Sequence, residues 1–136
     1  MDKLPKEIHQ KIQKLAAKGD SLADRERFSE AIAIFKAGWE LLPEPRADWE
    51  AGLWFVSAVM DSHFHAGEFA ELVTEAGLIV DGELAQNSAF FQLRYGQALL
   101  EVDKSDEAKA ALQKAFDLGG EEMFEDEDEK YSAFLT

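Results

Sequence analysis

The sequence predicts an all-α fold in which antiparallel helix pairs stack as a short solenoid of about three repeats. Long stretches carry apolar residues at spacings of three and four, which is the period of an amphipathic helix. Gly, Pro, Asn and Asp separate these stretches, as helix ends and turns require. Small residues also recur 77 positions apart, as Gly19 and Ala31 do at Gly96 and Ala108. That recurrence indicates an internal repeat.

The composition predicts one acidic domain over residues 1–136. A chain of 136 residues can bury a substantial core, and a hydrophobic fraction of 46% excludes a wholly disordered chain. The lack of cysteine excludes disulfides, thiolate catalysis and cysteine-based zinc sites. The opening MDKLPKEIHQ is charged and polar, unlike a leader, and no apolar run approaches the length of a membrane span. We therefore expect a cytoplasmic protein.

The formal net charge of −14 bears on the choice of partner. Nucleic acids and anionic membranes repel an acidic surface, so neither is expected as a direct partner. The charge favours a basic protein partner, although an acidic surface also keeps a protein soluble without any partner. Both interpretations of the charge stay open at the level of the sequence.

Local signals set the predicted helix boundaries. Ser29, Ser88 and Ser105 are candidate caps at helix starts, while Pro43 and Gly120 mark helix ends. The predicted helices span residues 5–25, 28–43, 47–65, 68–80, 89–102 and 106–118, with a loop over 81–86 and a short final helix near 128–135.

Small and large residues alternate on the inward faces of these helices. Gly19 lies inside the first helix, where glycine costs about 1 kcal/mol relative to alanine. A repeat of paired helices gives a reason for it, because the partner helix would have to approach closely there. The second helix places Ala31 before Phe35 on its apolar face. The fourth helix reverses this order with Leu72 and Ala76, an exchange that keeps the total volume roughly constant.

The last 16 residues, EEMFEDEDEKYSAFLT, form a tail that is both acidic and aromatic. Its run over residues 125–129 lacks the alternating ligands and glycine of a calcium loop, so a charged helix start is preferred. A purely solvating tail would lack large apolar residues. We expect the tail to pack on the last helix pair as a cap. Its large apolar residues are Met123, Phe124, Tyr131, Phe134 and Leu135.

Five residues of the first helix pair have the spacing of a tetratricopeptide repeat, a helix–turn–helix unit of about 34 residues. They are Gly19, Leu22, Ala31, Phe35 and Pro43, at the Gly, Tyr, Ala, Phe and Pro positions. Leu15 takes the Trp position, and Lys18 departs at the Leu position. The chain resembles a tetratricopeptide-repeat (TPR) protein. The resemblance implies repeats over about residues 5–43, 46–80 and 87–120 and a C-terminal cap over 121–136.

The resemblance also implies which residues meet a partner, because such repeats turn the first helix of each pair toward a concave surface. An acidic end and an aromatic centre would result, and the aromatic centre has the character of a binding hot spot. The alternative is that the tail folds back and fills this groove, and the two remain equally weighted. The implied partner-binding residues are Asp20, Asp24, Trp54, Asp61, Phe64, His65, Phe90, Leu93, Gln97 and Glu101.

No sequence motif for catalysis or cofactor binding is present. Asp61, His63 and His65 form a D-x-H-x-H string, but positions i and i+2 of a helix point in different directions and do not easily share one metal ion. We therefore expect no enzyme activity, no cofactor and no metal site.

The predicted function is protein–protein binding to a basic partner. Acidic stand-alone repeat domains of this size resemble bacterial immunity proteins that neutralise toxins, and residues 121–136 resemble the ends of some of them. The alternative is a TPR scaffold, or a co-chaperone-like adaptor, that binds a peptide in the groove. Adaptors that clamp a terminal carboxylate carry Lys, Arg and Asn there. The implied positions hold Asp20, Asp24, Asp61 and Glu101 instead, which argues against that mode. A homodimer is a further option.

Overall fold

The computed structural model describes residues 3–135, and every regular element in that part of the chain is helical. The α-helices are α1 (Lys6–Asp24), α2 (Phe28–Glu40), α3 (Glu50–His65), α4 (Phe69–Ala76), α5 (Glu83–Gln86), α6 (Ala89–Glu101), α7 (Ser105–Gly119) and α8 (Glu129–Ala133). Two short 3-10 turns, Arg46–Asp48 and Glu121–Phe124, precede α3 and α8. None of the helices in this range is long and apolar enough to cross a membrane. Thr136, the last residue of the predicted cap, lies outside the described residues.

The helices stack in sequence order, which confirms the predicted solenoid of antiparallel pairs. α1 packs on α2, α2 on α3, and α3 on α4, after which α4 packs on α6 and α6 on α7. The core runs continuously between these pairs, because buried residues of each pair also touch the next. The most enclosed helices are α3 and α6, each with eight buried residues. These are the first helices of the second and third pairs, so the groove surface is held on a rigid support.

Glycines let paired helices approach closely at corresponding places in the first and third pairs. A side chain on Gly19 would overlap the ring of Phe35, and one on Gly96 would overlap Leu112. The two glycines lie 77 positions apart, which is the period of the sequence repeat. The close approach of paired helices therefore explains why glycine recurs at this spacing. The close helix contact predicted at Gly19 is confirmed.

Several predicted boundaries change in the structure. Ser88 caps α6, since its Oγ accepts a hydrogen bond from the backbone nitrogen of Phe91 at 3.2 Å. The caps predicted at Ser29 and Ser105 are wrong, because both serines lie inside the first turns of α2 and α7 and neither makes a capping hydrogen bond in the described part of the chain. α4 ends at Ala76 rather than near residue 80. The predicted loop over 81–86 contains the short helix α5.

The tail forms the predicted short helix and packs on the last pair. The Asp128 carboxylate caps α8 by accepting from the backbone nitrogen of Lys130 at 3.0 Å. Phe124 and Tyr131 are buried in one cluster with Leu93 of α6 and Leu112 of α7. The described part of the tail therefore covers apolar surface that the last helix pair would otherwise expose, as expected of a cap.

Candidate partner-binding groove

The surface lined by α1, α3 and α6 is the candidate groove, and its centre is Arg94. The Arg94 Nε donates to Asp61 at 2.8 Å, and Nη1 donates to Gln97 at 2.9 Å and to Glu127 at 2.7 Å. Only 8% of the Arg94 side chain is exposed. The guanidinium thus joins the second pair, the third pair and the tail at one point.

Aromatic rings complete the surroundings of Arg94. Its guanidinium carbon lies 4.3 Å from the centre of the Phe64 ring and 5.0 Å from that of Phe90. Cation–π contacts of this kind strengthen when they are shielded from water. Phe64 and Phe90 were both implied as partner-binding residues, and the structure brings them together around an arginine that the sequence analysis had not singled out.

The tail occupies the part of the groove that α6 lines. Gln97 Nε2 donates to Glu127 at 2.7 Å, and Gln97 is completely buried. The Tyr131 hydroxyl donates to Glu101 at 2.9 Å. Leu93 is buried in the tail cluster. Of the implied partner-binding residues, Leu93, Gln97 and Glu101 therefore lie beneath the tail, and a partner would reach them only after the tail moves.

The contacts beneath the tail change the ionisation of three groups. Hydrogen bonds from Lys130 and Tyr131 lower the pKa of the Glu101 carboxyl, and the Lys130 bond is the larger cause. Burial, followed by the hydrogen bond to Glu101, raises the pKa of Tyr131. The same carboxylate raises the pKa of the exposed Lys130. Glu101 is thus held charged while Tyr131 and Lys130 are held protonated, which favours the docked tail near neutral pH.

The groove remains open between α3 and α6 at their N-terminal ends. Trp54 is 42% exposed and Phe90 is 38% exposed. Both rings line a cleft of about 600 Å³ whose walls also include Ser57, Glu50 and Glu83. The Trp54 ring meets the rings of Phe35 and Phe55 edge-on, which holds it in place while one side stays free. This cleft presents two aromatic surfaces and two carboxylates to solvent.

The acidic end of the groove lies between α1 and the C-terminal end of α3. Asp24, Asp61 and His65 line a cleft of about 330 Å³. His65 Nε2 lies 3.3 Å from Asp61, and its ring stacks on Phe28. Asp20 is largely exposed on α1, and the partial burial of its carboxyl, followed by the nearby charge of Asp24, raises its pKa. This end of the groove is therefore rich in carboxylates.

The histidines of the D-x-H-x-H string face different partners. His65 lies beside Asp61, whereas His63 is buried and its Nδ1 lies 3.0 Å from Glu68 on the opposite side. No cluster of His, Asp and Glu within residues 3–135 has the arrangement of a metal site. The two histidines thus diverge in the way that helical geometry predicts.

Sequence reasoning missed several residues of the groove, among them Arg94 and Glu127 and, in the open cleft, Glu50 and Glu83. Arg94 lies three residues, or about one helical turn, before Gln97. Helix spacing alone would therefore have placed both residues on the same face of α6. Glu127 has no such signal. The preferred interpretation of residues 125–129 as a helix start is wrong for Glu127, because α8 begins at Glu129 and the Glu127 carboxylate turns inward to Arg94. The implied positions included no cation, whereas Arg94 lies among them and is surrounded by the acidic and amide groups of Asp61, Glu127 and Gln97.

Neither a family model nor a curated protein matches the sequence. Solved structures do match over nearly all of the chain. The first TPR domain of Spaghetti (RPAP3) bound to an HSP90 peptide is 20% identical with a TM-score of 0.70, and the match covers 93% of this chain and 88% of that one. The chain has a TPR fold. The fold implied by the first-pair spacing is thereby confirmed.

Two further TPR-type structures are similar to this chain. The Yersinia enterocolitica type III secretion chaperone SycD, in complex with a peptide of the translocator YopD, is 15% identical with a TM-score of 0.69, over 90% of this chain and 88% of that one. The Sgt2 TPR domain from Aspergillus fumigatus is 18% identical with a TM-score of 0.68, over 91% and 74%. At these identities the likeness concerns the fold.

Proposed function

We propose that this TPR domain is a protein-binding module that holds a basic segment of a partner protein in the open part of its groove. The observation that carries the proposal is the cleft between Trp54 and Phe90, where two partly exposed aromatic rings stand beside Glu50 and Glu83. Aromatic side chains on a rigid support are typical anchors of protein interfaces. Catalysis is not part of the proposal.

The charge of the groove supports a basic occupant. Glu50 and Glu83 flank the aromatic cleft, and Asp20 and Asp24 carry negative charge on α1 at the other end of the groove. Arg94 does not oppose this, because Asp61 and Glu127 already neutralise it. An extended negative surface attracts cationic segments and speeds their encounter with the protein.

A peptide-binding adaptor is the form of this function that we favour. The similar RPAP3 domain holds an HSP90 peptide, and SycD holds a peptide of YopD, so this fold can present a groove to a short segment. Neither of these structures is an immunity protein, and the toxin-immunity hypothesis has no comparable support. A cytoplasmic location fits an acidic chain without cysteine and belongs to the same proposal.

A displayed library of random peptides tests the chemistry of the groove. We expect enriched peptides to carry Lys or Arg around one large apolar residue. Trp54→Ala should speed dissociation of such a peptide by roughly thirtyfold, which corresponds to about 2 kcal/mol for a hot-spot residue. Leu78→Ala is the matched control, because Leu78 is also a large exposed apolar residue but lies after α4, outside the groove.

Thermal unfolding of Trp54→Ala must accompany the binding measurement, since the Trp54 ring also packs on Phe35 and Phe55. Enrichment of acidic peptides would refute the charge of the proposed occupant. A folded Trp54→Ala variant that releases the peptide at the wild-type rate would refute the aromatic anchor.

A further inference from the structure

We infer a second docking surface at the C-terminal end of the solenoid, the cap cleft, which fits a basic amphipathic helix of another protein. The cap cleft has a volume of about 590 Å³ and lies between α7 and the tail. Phe116, Phe124 and Leu135 form its apolar floor, and Glu121, Glu125 and Glu129 stand on its rim. Glu127, which binds Arg94 in the groove, also lines this cleft, whereas Trp54 and Phe90 do not, and the inference does not depend on the function proposed for the groove.

The tail covers the end of the stack only in part. In a helical solenoid each pair buries its outer face against the next pair. Here α8 contributes only five residues, which is too short to cover the 15-residue helix α7. Phe116 consequently remains 37% exposed, and its ring centre lies 6.2 Å from that of the buried Phe124. An apolar strip of α7 therefore stays uncovered by the tail.

The rim of the cap cleft is negatively charged and largely unneutralised. The side chains of Glu121, Glu125 and Glu129 make no ion pair or hydrogen bond with any residue in the described range 3–135. The rim also lacks a lysine or arginine among its lining residues. The apolar floor complements a helix face of leucine-like residues. The three unpaired carboxylates on the rim complement Lys or Arg beside that face.

A second copy of this chain is a poor occupant of the cap cleft. Each copy carries a formal net charge of −14, and a symmetric contact would bring both sets of rim carboxylates together. Like charges at an interface oppose association. Charge complementarity therefore favours a basic helix over self-association, and the test below distinguishes the two.

The test uses a fluorescent Leu/Lys peptide of about 15 residues, long enough to form a helix when bound, with a Leu/Glu peptide as its control. We expect the Leu/Lys peptide, but not the Leu/Glu peptide, to bind and to shift the backbone NMR signals of α7 and the tail around Phe116. Phe116→Asp should weaken binding by at least about tenfold, since it places a charge on the apolar floor. In a Trp54→Ala background, which removes the anchor of the groove, the Leu/Lys peptide should still shift the signals around Phe116, and Leu78→Ala, which lies outside both surfaces, should leave its binding unchanged.

General attraction to an acidic protein is controlled by charge-matched variants. Glu121→Gln with Glu125→Gln and Glu129→Gln should weaken binding by about tenfold or more, whereas Glu7→Gln with Glu71→Gln and Asp106→Asn should change it by less than about threefold. Equal losses in the two triple variants, or NMR shifts spread over the whole surface, would overturn the inference. A wild-type dimer in sedimentation that Phe116→Asp abolishes would also overturn it, in favour of self-association.

Discussion

The Glu127 carboxylate lies 2.7 Å from Nη1 of Arg94, and this contact anchors the tail in the groove. The two side chains are 15% and 8% exposed, so water screens their attraction only weakly. Gln97 donates to the same carboxylate oxygen. The tail is thus held by polar contacts in the groove as well as by the apolar contacts of Phe124 and Tyr131.

Removing the charge of Glu127 should loosen the tail. We expect Glu127→Gln to lower the free energy of unfolding by about 1–3 kcal/mol, because a hydrogen bond between charged groups is lost. Arg94 keeps Asp61, so the loss should stay below the roughly 3–5 kcal/mol of an orphaned buried charge. Urea unfolding and amide hydrogen exchange in α8 would measure both effects. The control is Glu125→Gln, whose side chain has no partner in residues 3–135; an equal effect there would contradict the role of Glu127.

Deleting residues 121–136 should expose the apolar surface beneath the tail. Leu93 and Leu112 would lose the contacts of Phe124 and Tyr131, so the truncated protein should melt earlier or aggregate. Differential scanning calorimetry and light scattering would show this. Neutralising Glu121 and Glu122 to glutamine controls for lost charge, because these exposed residues leave the apolar contacts intact. A truncated protein that stays monomeric with the wild-type Tm would mean that the tail is no cap.

Ala31→Leu should overpack the contact between α1 and α2. Ala31 is fully buried, so the added side chain has no space, and we expect a loss of about 1–3 kcal/mol. Ala33→Leu is the matched control, since Ala33 is an exposed residue of the same helix. Thermal or urea unfolding of both variants would decide. Equal stability of Ala31→Leu and wild type would refute a tight contact at this position.

The docked tail should be most stable between the ordinary pKa of a glutamate, 4.5, and that of a tyrosine, 10.0. The pKa of Glu101 is lowered in the folded state, so its contribution is present above pH 4.5 and is lost as the pH falls through the lowered value. The pKa of Tyr131 is raised, so its contribution is present below pH 10.0 and is lost as the pH rises through the raised value.

Tyrosinate absorbance would test the alkaline side of this window. The chain has two tyrosines, and burial also raises the pKa of Tyr95, so the measurement uses a Tyr95→Phe background. Tyr131 should then titrate above its ordinary value of 10.0, and Glu101→Gln should shift its titration back toward that value. An ordinary titration of Tyr131 with Glu101 in place would contradict the docked geometry.

Charge reversal on α1 should slow association of a basic peptide with the groove. Asp20→Lys with Asp24→Lys weakens the attraction that guides the encounter, so the association rate and its salt dependence should both fall. Glu7→Lys with Glu71→Lys makes the same change in net charge outside the groove and should have a smaller effect. Stopped-flow association at several salt concentrations would compare the pairs, and identical rates for both would remove Asp20 and Asp24 from the proposed surface.

The sequence by itself determined the six main helices, their pairing and the TPR fold, but not the short helix α5. Each of these depends on local spacing, since an apolar period of 3.6 residues buries one face and small residues such as Gly19 and Ala31 mark where two helices meet. Neighbouring helices follow each other in the chain, so the residues that form their contacts lie at fixed sequence offsets. The same residue types recur at these offsets in each repeat and can be recognised without coordinates.

Only the tertiary structure decided how the groove is divided between solvent and the tail. Glu127 and Arg94 are 33 positions apart, and several exposed acids near Glu127 carry the same charge without turning inward. Which carboxylate reaches the arginine depends on where the turn after α7 directs the chain and on how Phe124 and Tyr131 pack. Such a contact combines long-range chain placement with packing, and neither has a periodic signature in the sequence.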